Sequence, residues 1–213
     1  MAKRIKTWHI YLLAIQTALI CTLSIKLWQT PNVVYQTLDR DYYDKITIET
    51  WHNISQKSLI SDEIENVVPG NFQGGTEQVF TQQDQILTLK LATFSKSNGD
   101  LKKYLKNFSE NLFSIAQHSP EVGDYSIYMA NKSLVMTACL VDSGQATITA
   151  DQFKIAQILA AFKIKQLWHW LTNQNQLIPH TCHWRSLRLS PVTPDAKKTL
   201  VNIWLTLNQT TPL

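Results

Sequence analysis

Cysteine and histidine are the residue types here best suited to chemistry, and the densest group of them is His180, Cys182 and His183. Imidazole nitrogens and thiolates are zinc ligands. Three of them within four residues do not easily all turn to one ion, and no second Cys/His pair stands at finger spacing, so neither a metal nor another cofactor is expected. A thiol near a histidine is also the beginning of a nucleophile and base pair. Cys139 lies inside the apolar run from Leu134 to Val141, whereas nucleophilic cysteines occupy helix N-termini or electropositive clefts. Two states remain for Cys139 and Cys182: the two ends of one disulfide if the compartment is oxidising, or two buried free thiols if it is not. His118-Ser119 and Ser143 offer hydroxyls, but no Gly-x-Ser-x-Gly elbow or convincing acid partner accompanies them. Arg185 and Arg188, three apart in an extended segment, face opposite sides, so one of them is available to an anionic partner. Trp168, Trp170, Trp184 and Trp204 fall at helix and strand spacing, which suits core packing better than a sugar-stacking surface.

The compartment is read from the N-terminus. Lys3, Arg4 and Lys6 form a basic flank over 1–7, and an apolar run follows from Trp8 to Trp28. As a helix it would rise about 30 Å, the thickness of a bilayer core. Trp8 and Trp28 mark its ends at headgroup level, and the basic flank stays inside. This gives a single-pass membrane protein, N-terminus cytoplasmic and residues 29–213 extracytoplasmic, on a periplasmic side, where a disulfide is stable. Gln16, Thr17, Thr22 and Ser24 make the run less apolar than most spans. A cleaved signal peptide is a second reading, though no good small-x-small triplet is present for it, and Ile20 before Cys21 is wrong for lipoprotein processing; an amphipathic helix is a third reading.

Charge excludes another class. The chain carries 20 Lys+Arg against 16 Asp+Glu, and the excess of four is the N-terminal set Lys3, Arg4, Lys6 and Lys26. The remainder is neutral, which argues against a nucleic-acid partner.

The elements that must position these residues follow in order. Residues 29–84 read as an extended exit and an irregular region, with a short strand at Lys45–Glu49 and loop punctuation at Pro69-Gly70 and Gly74-Gly75. The core begins at 85. A strand over Gln85–Phe94 stops at Ser97-Asn98-Gly99-Asp100, where Asn98 or Asp100 can cap a helix carrying Leu101, Leu105, Phe108, Leu112 and Ile115. Tyr125–Met129 and Ser133–Val141 form a hairpin across Asn131-Lys132. Thr149 and Gln152 form a capping box for a long helix whose stripe runs through Phe153, Ala156, Ala160, Ile164, Leu167 and Leu171. Ile155, Leu159, Phe162 and Trp168 widen that stripe. A strand over Trp184–Leu189 and a helix from Pro194 close the chain. The expected class is α+β: a transmembrane helix, then one domain with a mainly antiparallel sheet packed by about three helices.

Several of these pieces recur together. Asn98-Gly-Asp-Leu-Lys102 after a strand, Thr137-Ala-Cys-Leu140, Ile148-Thr-Ala-Asp-Gln-Phe153, Cys182-His-Trp184 and the helix begun by Pro194-Asp-Ala196 with Trp204 inside it stand in one order. In this the stretch from Leu91 to Leu207 resembles the cyanoexosortase A system-associated proteins. The resemblance implies a non-catalytic accessory of an exosortase, a multi-spanning membrane protease that cuts C-terminal sorting tails during export. It marks Asn98, Gly99, Asp100, Thr149, Gln152, Phe153 and Trp184 as motif residues. Gln16, Thr17, Thr22 and Ser24 would then give the span a polar face toward its partner. The rival is an extracytoplasmic thiol- or serine-dependent hydrolase or transferase on cell-surface polymer; a glycan-binding module is a third reading.

Overall fold

The computed structural model describes residues 8, 11–18, 20–21, 46–64, 68–101, 105, 115–161 and 180–210. The chain divides into two compact units, 1–34 with 164–177 and 35–163 with 178–213. In the first, residues 11–18 are helical, and Tyr11, Leu12, Leu13 and Ile15 are exposed. Gln16 and Thr17 lie on this helix, and the Thr17 hydroxyl donates to the Leu13 carbonyl at 2.7 Å. Trp28, Thr22 and Ser24 lie outside the described residues. Among those described, no helix is long and apolar enough to cross a membrane.

The second unit is built on one sheet. Its strands are β1 (His52–Ser58), β2 (Asn71–Gln82), β3 (Gln85–Ser95), β4 (Ile115–Ser119), β5 (Gly123–Ala130), β6 (Ser133–Leu140), β7 (Ala146–Thr147) and β8 (Cys182–Ser190). The order is β1-β2-β3-β8-β6-β7-β5-β4, with β5 also paired to β6. Every pairing is antiparallel except the short contact of β5 with β7. Three described helices accompany it: α1 (Ser61–Ile64), α2 (Ala150–Ala161) and α3 (Ala196–Thr210). The α+β class and the mainly antiparallel sheet are as expected.

The alternation of β3 explains where the core sits. Leu87 and Leu89 pair with Leu189 and Leu187 of β8, which in turn pair with Leu134 and Met136 of β6. Leu87, Leu89, Met136, Leu187 and Leu189 have no exposed surface. Arg185 shares their parity on β8 and reaches Asn208 and Trp204, so α3 lies on this face. It buries Leu200, Ile203, Trp204 and Leu207 there, each worth roughly 1.5–3 kcal/mol of removed apolar surface.

Local chemistry sets the boundaries. Asn131 and Lys132 take φ of 48° and 60°, the left-handed pair of a two-residue hairpin turn. At α2, Gln152 N–H donates to the Thr149 hydroxyl at 3.3 Å, and Thr149 N–H donates back to Gln152 Oε1 at 3.1 Å, closing the capping box.

Five features differ from the sequence reading. The sheet starts at His52, so residues 29–84 hold two regular strands rather than an irregular region. Gly74-Gly75 lies inside β2, at a register shift between Phe72 and Gly74. A Cβ on Gly75 would stand 2.5 Å from the Leu91 carbonyl, so the glycine permits close backbone approach instead of a loop. Ile46 and Ile48 are buried while Thr47 and Glu49 are exposed, as the alternation demands, yet 46–50 joins no ladder. Ile115 to Ser119 is strand, pairing with β5, where helical spacing from Leu112 carries the helix onward; Leu105 is helical, and the rest of that helix lies outside the described residues. On α2 the buried residues are Phe153, Ala156, Gln157 and Ala161, while Ile155 and Leu159 are exposed. Its packed face is narrower than the sequence stripe, and the continuation to Leu171 lies outside the described residues.

Burial raises the phenols of Tyr125 and Tyr128 above their ordinary value of 10.0; Arg188 works in the opposite direction at Tyr128. The folded phenols stay protonated where the unfolded ones ionise, so their contribution is complete below pH 10 and is lost as pH rises beyond it. Urea melts are expected to weaken steadily above about pH 10, and Tyr128→Phe to make that decline shallower.

Candidate functional site

β6 and β8 run antiparallel with Cys139 opposite Trp184. Cys182, two residues before Trp184, therefore emerges on the same face, one diagonal step away. The two Cα atoms are 5.5 Å apart and Cys139 is disulfide-bonded to Cys182. Both are fully buried. The pairing settles the choice left open by the sequence, and it removes the thiol that a nucleophilic role for Cys139 requires.

The motif residues collect around this bridge. Phe94 on β3 stands opposite Cys182. Trp184 Nε1 donates to the Thr137 hydroxyl at 2.8 Å, and that hydroxyl donates to the Arg185 carbonyl at 3.1 Å. The Thr147 hydroxyl donates to the Cys139 carbonyl at 3.0 Å.

The loop after β3 is tied in on two sides. Ser97 N–H donates to the His180 carbonyl at 2.9 Å, and Leu101 N–H to the Ile148 carbonyl at 3.1 Å. Within it, Gly99 N–H donates to Ser97 Oγ at 3.0 Å and Asp100 N–H to Asn98 Oδ1 at 3.1 Å, so Asn98 makes the two-residue bond of an Asx turn. Gly99 has φ +68°, and a Cβ there would run into the ring of Phe153. The Asn-Gly-Asp piece and the Thr149, Gln152, Phe153 piece thus meet through Gly99 and Phe153.

The opposite face of β8 carries a second arrangement. His183 Nδ1 lies 3.3 Å from Thr93 Oγ1, and its Nε2 lies 3.2 Å from Asp142 Oδ1. Hydroxyl, imidazole and carboxylate in this order are the groups of general-base activation. Thr93 is only 5% exposed and sits mid-strand between β2 and β8, so the chain of contacts fastens the turn at Asp142 onto the sheet. Neither partner was evident beforehand; only the β3–β8 register, which pairs Thr93 with His183, brings them together.

The other candidates separate. His180 is exposed and Cys182 is bonded, and among the described residues no group of three His, Cys, Asp or Glu is placed to hold a metal. His118 meets Asp124 at 2.9 Å as an exposed cross-strand pair. Arg185 is buried, donating to Asn208 Oδ1 with its guanidinium 5.1 Å from the Trp204 ring centroid; this cation–π contact had no sequence signal. Arg188 is the exposed arginine of the two. Trp184 and Trp204 are core residues, and Trp168 and Trp170 lie outside the described residues.

Thr137→Val is expected to cost about 1–3 kcal/mol, because the buried Trp184 N–H loses its acceptor while the side-chain shape is kept. A urea midpoint unchanged from the parent would show that the indole finds another partner.

Comparisons with protein families, curated proteins and solved structures return no match.

Proposed function

We propose that this chain is a non-catalytic accessory protein of a cyanobacterial exosortase, held in the membrane by residues 8–28 with its domain on the extracytoplasmic side. It would act by binding the protease or by presenting substrates that carry the C-terminal sorting tail. The observation that carries this reading is that the motif pieces meet in pairs: 137–140 with 182–184 through the disulfide and the Trp184–Thr137 bond, and 98–100 with 148–153 through Gly99 and Phe153. Residues that recur in a fixed order and pack against one another support a shared fold with the family the sequence resembles. A buried disulfide in turn supports an oxidising compartment.

The test is affinity capture of the tagged full chain from gently solubilised membranes of its own cell, followed by mass spectrometry. Co-recovery of an exosortase-like multi-spanning protein is expected. Changing Gln16, Thr17, Thr22 and Ser24 to leucine should retain membrane insertion and weaken the capture. Recovery of the chain alone, with the exosortase present in the input, would overturn the reading.

A second reading, a hydrolase or transferase on cell-surface polymer, draws on His183 between Thr93 and Asp142. It needs a nucleophile other than Cys139. Polymer turnover that disappears in His183→Ala, with the fold intact by circular dichroism, would favour it.

A further inference from the structure

We infer that Arg188, Thr88 and Tyr128, on the sheet face opposite α3, form a binding site for the carboxylate of an acidic sugar, a uronate unit of a polysaccharide. Arg188 alternates with Leu187 and Leu189 on β8, so it leaves the sheet away from α3, and it is exposed. The ladders set Thr88 of β3 beside it on one side and Val135 of β6 on the other, and Val135 in turn faces Tyr128 of β5. The three polar residues stand in one row across four strands.

Their charge balance sets this row apart. Lys90, two positions from Thr88, is neutralised by Glu77 at 2.8 Å. Among the described residues no carboxylate pairs with Arg188, and the hydroxyls of Thr88 and Tyr128 have no hydrogen-bond partner. Adjacent strands lie about 4.8 Å apart, so Arg188 and Tyr128 rise on either side of Val135, and their long side chains can close over it. Burial keeps the Tyr128 phenol protonated, while Arg188 acts on it in the opposite direction; its O–H remains a donor. The row offers one guanidinium fork and two hydroxyls to a group with a single negative charge, and a carboxylate has that charge and the matching fork.

The position in the sheet favours a sugar over a peptide. β8 lies between β3 and β6, so its N–H and C=O groups are taken up by ladders, and an extended peptide laid here gains no main-chain bonds of the kind a sheet edge gives. A uronate needs side-chain donors alone. This inference does not depend on the exosortase reading.

The test is binding of fluorescein-labelled oligogalacturonate to the full chain in non-ionic detergent at low ionic strength, followed by anisotropy. The parent should bind it, and should not bind the same oligomer with its carboxylates methyl-esterified. Arg188→Gln should weaken binding about tenfold, the low end of the loss for a charged hydrogen-bonding group, and Tyr128→Phe about threefold. Arg188→Lys keeps the charge without the fork and should fall between the parent and Arg188→Gln. Lys197→Gln removes the same charge from the exposed surface of α3 and should leave binding unchanged. No binding by the parent, no loss in Arg188→Gln, or an equal loss in Lys197→Gln would overturn the inference. So would oligoglutamate of the same charge binding as tightly with the same dependence on Arg188, which would make the ligand an acidic peptide.

Discussion

Exchanging Cys139 and Cys182 together for alanine is expected to lower the unfolding free energy by about 2–4 kcal/mol, a large share of what an ordinary domain has. The bridge joins residues separated by 43 positions, and a loop of that size confines the unfolded chain by about 4 kcal/mol in the chain-entropy description. The native side loses less, because both sulfurs lie in the core, where alanine leaves a small cavity and no unpaired polar group. Urea unfolding of the oxidised protein, the reduced protein and the alanine pair measures this. Reduced and alanine forms should behave alike. If neither differs from the oxidised form, the bridge adds nothing to the sheet that β6 and β8 do not already supply.

The second large effect is at Gly99. Gly99→Ala should cost about 2–4 kcal/mol, from two sources that act together. A side chain at φ +68° pays about 1–2 kcal/mol for the left-handed conformation, and its methyl would overlap the ring of Phe153. Phe153 is 1% exposed, so it moves only by repacking its surroundings. Pairing Gly99→Ala with Phe153→Leu tests the argument. The double variant should be more stable than the sum of the two losses predicts, because the smaller side chain yields the room. Strict additivity would show that backbone strain alone sets the cost.

What could be read in the sequence was whatever depends on near neighbours. The alternation of β3, the Asn131-Lys132 turn, the Thr149–Gln152 capping box and the start of α3 each involve residues within a few positions of one another. β1 left no trace because all seven of its residues are exposed, so no apolar period marks it. β2 was hidden by Gly74-Gly75, which serve strand contact and turn equally well. The candidate site divided along the same line. The cysteine pair was visible from residue type, as one of two states the sequence allowed. Thr93, Asp142 and Asn208 acquire meaning only through long-range register, and Arg185 gave the pattern of a solvent-facing strand residue although it is buried beneath α3.

The strand order also bears on how this protein is made. β8, from the last part of the chain, lies between β3 and β6. During synthesis, the β1–β3 meander and the β4–β6 group therefore emerge first, each with an inner margin whose N–H and C=O groups have no strand to meet. Those margins are among the most apolar parts of the sheet, and unpaired edges of that kind recruit other chains. Closure waits for the C-terminal segment, and Cys182 at its leading end cannot find Cys139 before then. A nascent chain halted before residue 182 is thus two unjoined half-sheets, and it stays vulnerable until β8 is made.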